Sequence, residues 1–299
     1  MASDQLQLLL DQIANQHPYS LLNVDQFNSL FNESKLVKYN TGQTILRPDE
    51  LPPRLFLVVQ GSIRLLAKRP DDSETITLCK RGSGQLVGWA SILRCSPCEW
   101  VISSEDSLTL TISSQAFLEL FSANKNFAAS FESLSHPQES YIVASEFFKA
   151  KPILTDEWAS RILSFASSSQ ACTIESGVKF VPQQGRKDLT WLVSTSGLIS
   201  HNSGSIVSRG DIINAHDGMT LPVRCVGIPE NSEFDTTRSS PSFLDVLSRQ
   251  AREPDDLPGA SLKQLGILED DLLDDDQRFP VVRAKGQLKE ALAVCEMIA

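Results

Sequence analysis

Between Lys35 and Ile112 the chain is a succession of short apolar stretches, each stopped by glycine or another turn residue before it reaches helical length. Leu36, Val37 and Tyr39, then Ile45, then Leu55-Phe56-Leu57-Val58-Val59, then Ile63 and Leu65 follow one another around Gly42 and Gly61. Further strands are expected at Thr75–Leu78, Trp100–Ser103 and Leu108–Ile112. Short strands broken by turns at near-regular spacing indicate an all-β sandwich or barrel. Helical patterns flank them. Residues 4 to 16 form one, and Leu22, Phe27, Leu30 and Phe31 share a face of a second. Two more follow, from Ser114 through Phe121 and from Phe127 to Lys149. Residues 1–150 therefore read as one β-roll with flanking helices.

The second half repeats this plan more faintly. A helical stretch from Leu154 to Ser167 precedes strand-like runs at Val178–Val181, Trp191–Thr195, Leu198–Ser200, Ile206–Val207 and Arg224–Ile228. Gly177 and Gly197 are spaced much as Gly42 and Gly61 are, and each second glycine sits between two apolar strands, where a tight turn makes positive φ cheap. In this register Gly84–Gly88 aligns with Gly210–Asn214, and Ser96–Val101 with Leu221–Val226. The expected fold class is mainly β with flanking helices, two β-jelly-rolls in tandem, the second at 151–230. Convergent glycine spacing in an unrelated sandwich is the competing reading. Residues 231–278, rich in Ser, Pro, Asp and Glu, read as an acidic solvated linker, and 279–299 as a C-terminal helix that begins a following domain.

Composition narrows the function. With 41% hydrophobic and 21% charged residues the chain can build sizeable cores. A net charge of -10 without a basic block argues against nucleic acid as partner, because phosphate-binding surfaces need clustered Lys and Arg. The N-terminus lacks the charged and apolar regions of a signal peptide, and no run approaches the roughly 18 apolar residues of a membrane span. The six cysteines read as buried thiols of a reducing cytoplasm. Cys95 and Cys98 form a CxxC, but a zinc site needs a second ligand pair, and His17, His136, His201 and His216 are isolated. A thioredoxin-like motif would precede a long helix, whereas Pro97 leads into a strand. No metal is expected, and two ordinary thiols are the favoured reading.

The stretch Gly84–Val101, GQLVGWASILRCSPCEWV, carries the most specific signal. Together with Ser20-Leu21-Leu22, Tyr39–Ile45 and Leu57–Ile63 it makes residues 20–150 resemble a cyclic-nucleotide-binding domain. In that family a cassette of Gly-Glu, a helical turn ending Leu-Leu, and a Pro-Arg-Ala loop holds the ligand. The helix-start N–H groups and the guanidinium grip the phosphate, and the Glu accepts from the ribose. The resemblance implies candidate ligand-binding positions at Gly88, Trp89, Ala90, Ser91, Arg94, Pro97, Cys98, Glu99 and Trp100. Trp89 stands where the Glu belongs, Cys98 where the Arg belongs, and the Glu99 carboxylate beside them would repel a phosphate. Arg94 is the nearest cation. In the second roll Arg224 lies two places after its proline, which in a strand turns it to the other face. It is a weak candidate ligand, and a surface or ion-paired role is favoured. No cofactor is expected, and the altered cassette argues against a cyclic nucleotide.

The tail extends the resemblance. Phe279, Pro280, Arg283 and Gly286, before a helix rich in Glu, Ala, Leu and Cys, resemble the segment that follows N-terminal cyclic-nucleotide-like domains in bacterial ABC-type exporters. This implies a non-catalytic regulatory or ligand-sensing module, cytoplasmic and associated with the membrane through a transporter partner or downstream domains. Its partners would be transporter membrane and ATPase domains or another protein, with a small molecule as the sensed ligand. A structural interaction domain without a ligand and a true cyclic-nucleotide receptor are the alternatives. A cupin enzyme needs paired histidines and a transcription factor needs a basic helix-turn-helix; neither is present.

Overall fold

The computed structural model describes residues 2–69, 73–149, 162–165, 168–181, 189–216, 219, 221–229 and 282–283. Helix α1 (Ala2–Ala14) and a 3-10 turn (Tyr19–Leu21) lead to α2 (Val24–Phe31). Asn23 starts α2 with a capping box: its side chain accepts the Gln26 N–H while the Gln26 side chain accepts that of Asn23, an arrangement worth about 1 kcal/mol. The strands then run β1 (Leu36–Tyr39), β2 (Thr44–Leu46), β3 (Glu50–Leu51), β4 (Arg54–Gln60), β5 (Ile63–Lys68), β6 (Thr75–Arg81) and β7 (Leu86–Val87). A short helix α3 (Trp89–Leu93) interrupts them before β8 (Trp100–Ser103) and β9 (Ser107–Ser113).

Eight of these nine strands, all but β3, make the expected roll. Two four-stranded antiparallel sheets, in the orders β1-β9-β4-β7 and β2-β8-β5-β6, face each other. Inward side chains fill the space between them, among them Val37, Tyr39, Val58, Ile63, Leu65 and Val101. The pleat explains the pattern: along β1 and β8 buried and half-buried positions alternate.

Three helices follow, α4 (Ser114–Ala123), α5 (Lys125–Glu132) and α6 (Pro137–Lys149). The single helix expected from Phe127 to Lys149 is thus two, separated at Ser133–His136. Pro137 accounts for the break, since it disfavours helical backbone at the residue before it and fits the first position of a new helix, where no N–H is needed. Helix α6 lies between two sheets. Tyr141, Val143, Ala144 and Phe148 pack with Ala67 and Leu78 of the roll and with Leu192, Val226 and Ile228 further along the chain.

Those last residues belong to β10 (Gln170–Ile174), β11 (Leu189–Val193), β12 (Ile206–Val207) and β13 (Val223–Pro229), a four-stranded sheet in the order β10-β13-β11-β12. The order repeats that of β1-β9-β4-β7, with every pair antiparallel. Isolated bridges, Lys179 to Ile212 and Leu198 to Ala215, stand where the first roll has its other sheet. The hydrogen bonds correct the repeat register. In the first roll Val58 N–H donates to Gln85 O (2.9 Å) and Gly84 N–H to Val58 O (2.8 Å). In the second, Val193 N–H donates to Ser205 O (2.9 Å) and Gly204 N–H to Val193 O (2.8 Å). Gly204–Val207, and not Gly210–Asn214, therefore corresponds to Gly84–Val87; the similar glycine-led triplets at 204 and 210 made the two registers look alike.

The corrected register leaves only Ser208, Arg209, Gly210 and Asp211 between β12 and the bridged segment at Ile212, where the first roll has Gly88–Glu99. The second unit has no cassette. Arg224 is on β13 opposite Thr173, in the strand that corresponds to β9. Gly204 lets this unit close on α6. A Cβ there would lie 2.8 Å from Glu146 Cβ and 3.0 Å from Phe147 N, at a φ of +82°.

Of the expected 154–167 helix, residues 162–165 are helical and the rest lies outside the described residues. The acidic linker also lies outside them, and of 279–299 only Val282 and Arg283 are described, as a strand and not as the expected helix. Strand β14 (Val282–Arg283) pairs antiparallel with β3. No helix among the described residues is long and apolar enough to cross a membrane.

Candidate functional site

The site grows from the turn between β7 and α3. Gly88 has a φ of +100°, and a Cβ there would sit 3.3 Å from Leu55 Cα, so glycine suits this turn. The chain then winds into α3 with its first N–H groups needing acceptors. The acceptor is Glu99. Gly88 N–H donates to its Oε1 at 2.7 Å and Ser91 N–H to its Oε2 at 3.0 Å. Ser91 brings the carboxylate back to that point: its Oγ accepts the N–H groups of Cys98 (3.1 Å) and Glu99 (3.3 Å), and its carbonyl that of Ser96 (3.1 Å). The charge that the sequence reading set beside the phosphate position occupies the helix start itself.

Glu99 is buried, and its Oε1 lies 3.2 Å from His136 Nε2 in the break between α5 and α6. Burial pushes the Glu99 carboxyl up to about 7, against the lowering effect of the Ser91 and Gly88 N–H groups. Burial, reinforced by Arg81 and Arg224, pushes His136 down to about 3. One proton serves the contact, on Nε2 when the carboxyl is ionised and on the carboxyl when it is not.

Trp89 turns away from the roll interior. Its ring packs at 5.3 Å against both Phe131 and His136, with the Arg224 guanidinium 5.3 Å above it. Arg224 is fully buried and ion-paired, from Nε to Glu139 Oε1 at 2.7 Å. It also donates to Phe131 O (2.9 Å), Glu132 O (3.3 Å) and Leu134 O, carbonyls at and just beyond the end of α5. Arg94 reaches the opposite way, from Nε to Ser194 O (3.2 Å) and from Nη2 to Ser203 Oγ (3.0 Å), while Ser196 N–H donates back to Arg94 O (3.0 Å). Two arginines thus cross the junction in opposite directions, and both leave from segments singled out in the sequence.

The remaining positions are structural in their contacts. Ala90 is fully buried and its carbonyl accepts the Arg94 N–H. The Cys98 thiol lies 3.5 Å from Ser91 Oγ, and burial pushes it up to about 12. Pro97 and Trp100 are half-buried. Trp100 and Cys98 border a cavity of about 410 Å³ whose other walls include Leu66, Tyr141 and Ile142. Gln138 closes its end by donating to Leu66 O and Trp100 O, each at 2.7 Å. Among the described residues no group of three His, Cys, Asp or Glu could hold a metal. His136, Glu139, Ser194 and Ser203 complete the site and were not among the candidates. The Ser-His-Pro break before Glu139 was the available signal.

Residues 36–124 match the family model of the cyclic nucleotide-binding domain, so the first roll has that family's fold. No curated protein matches the chain. Among solved structures, the sensor domain of the transcriptional regulator DNR from Pseudomonas aeruginosa is 18% identical, with a TM-score of 0.39 over 42% of this chain and 86% of that one. A putative cyclic nucleotide-binding protein from Geobacter metallireducens is 16% identical, with a TM-score of 0.34 over 40% of this chain and 86% of that one. At these scores the two likenesses add no weight to the family match.

Proposed function

We propose that this chain is a non-catalytic regulatory module in which the cassette of a cyclic-nucleotide-type roll has become an internal contact. The observation that carries the reading is the Glu99 carboxylate on the Gly88 and Ser91 N–H groups. An anionic ligand at that place would have to displace a covalently tethered anion and do without an arginine at Cys98. The second sheet is a second roll that lacks the cassette and docks on the first through Arg94 and Arg224. The resemblance at Phe279, Pro280, Arg283 and Gly286 supports placing the module in the cytoplasmic control region of a bacterial ABC-type exporter, whose other domains are its partners. Membrane helices and a Walker sequence in the reading frame downstream of Ala299 would support that placement; their absence would remove it.

Titration calorimetry with cAMP and cGMP tests the closed cassette. No saturable heat is expected at millimolar ligand, and a saturable isotherm would restore the receptor reading. A second reading, sensing of some other small molecule, is favoured by the cavity against Cys98 and Trp100. A 410 Å³ volume falls within the range of small-ligand sites.

A further inference from the structure

Cys172 and Cys225 stand directly opposite each other on the antiparallel pair β10–β13. Opposed residues of such a pair bring their Cβ atoms to about 4.5–5.5 Å, close to the separation a disulfide spans. The two cysteines are thus paired in register across neighbouring strands. Both are free thiols and both are buried, Cys172 at 8% exposure and Cys225 at 0%. The slightly exposed residue is thus the one on the edge strand β10, and the fully buried one is on the inner strand β13.

We propose that Cys172 and Cys225 form a reversible disulfide under peroxide and that this bond regulates the docking of the second roll on the cassette. The Cys172 thiolate attacks one oxygen of hydrogen peroxide and the O–O bond breaks, giving a sulfenic acid and one water once the released proton is returned. The Cys225 sulfur then attacks the sulfenic sulfur. The S–S bond forms, and the departing hydroxide takes the Cys225 proton as a second water. Two thiols lose two electrons and one peroxide gains them.

The consequence follows from the strand. Arg224 precedes Cys225, so its side chain points to the opposite face of β13. There it holds Glu139 and the Phe131, Glu132 and Leu134 carbonyls. Its own backbone is bonded to Thr195 Oγ1 and Ser194 N. Joining the two opposed sulfurs in a covalent bond pulls β13 towards β10 and moves the residue that clamps the α5–α6 break. The neighbouring Cys172 thiol and burial hold the Cys225 thiol well above its usual range, so it is slow to react with peroxide itself and Cys172 is the first thiol attacked.

The test is peroxide treatment of the full chain, alkylation of the remaining thiols, and peptide mass spectrometry without reductant, with deuterium exchange measured on the same sample. The expected result is a Cys172–Cys225 cross-linked pair, lighter by two hydrogens and released by dithiothreitol, with faster exchange across 131–136 than in the reduced protein. Cys172→Ala should show neither change, and its far-UV circular dichroism reports whether it folds. If it does not fold, the wild-type peptides decide. Full alkylation of both thiols after peroxide, Cys225 bonded to a different cysteine, or the cross-link with unchanged exchange across 131–136 would overturn the proposal.

Discussion

Glu99 shows how one side chain can change what an inherited loop does. The sequence places a carboxylate next to the family's phosphate position, which predicts repulsion and nothing more. The structure makes it the occupant, because Ser91 gathers the Cys98 and Glu99 N–H groups and so fixes the loop's return. That return depends on a serine hydroxyl and a left-handed Cys95 (φ +54°), neither of which has a pattern that a sequence reveals. The buried carboxyl has a measurable cost. A group whose pKa rises from 4.5 unfolded to about 7 folded holds its proton more tightly in the native state. Its contribution is intact below pH 4.5 and is lost as pH rises through 7. The span corresponds to about 3 kcal/mol. His136, lowered from 6.5 to about 3, acts in the opposite sense, losing stability as pH falls through that window. Glu99→Gln removes only the first effect. Urea unfolding should show this variant gaining about 3 kcal/mol on the wild type between pH 4.5 and pH 7. Parallel pH profiles for the two proteins would mean that the carboxyl is solvated.

At the level of elements, the break between α5 and α6 organises the site. It presents His136 to the cassette on one side and the carbonyls at the end of α5 to Arg224 on the other. Pro137 was visible in the sequence, yet an apolar pattern that ran on to Lys149 concealed the break. Arg224 was legible as a residue of interest for the wrong reason, through an alignment that set β13 against the cassette. Its guanidinium neutralises Glu139 where both side chains are fully buried. Arg224→Ala leaves that carboxylate unpaired and should destabilise the chain by about 3–5 kcal/mol in denaturant unfolding. The double change Arg224→Met with Glu139→Leu should recover more than half of that loss, since an apolar pair of similar volume often replaces a buried ion pair at little cost. A loss for Arg224→Ala below about 1 kcal/mol, as for exposed pairs, would contradict the buried clamp.

Across the whole molecule, α6 is shared by two sheets of the same strand order, and the cassette lies at their junction. The first roll was legible in outline, because its strands are apolar, short and punctuated by glycine. β3 and β7 were missed as two-residue strands. Of the second sheet β11, β12 and β13 were legible, but β10 was missed, the expected strands at Val178–Val181 and Leu198–Ser200 are isolated bridges, and the register was hidden because two glycine-led triplets compete and only backbone hydrogen bonds separate them. What no single segment could disclose is that Arg94 reaches Ser194 and Ser203 while Arg224 reaches back to Glu139, contacts between distant stretches of chain and not a local pattern. The account's central claim is that the cassette holds its own anion, and the amide resonances of Gly88 and Ser91 report on it directly. Both should titrate together with a midpoint near pH 7 in the wild type, should stay flat in Glu99→Gln, and should not respond to cAMP. Amides that ignore pH but shift on adding cAMP would contradict the claim.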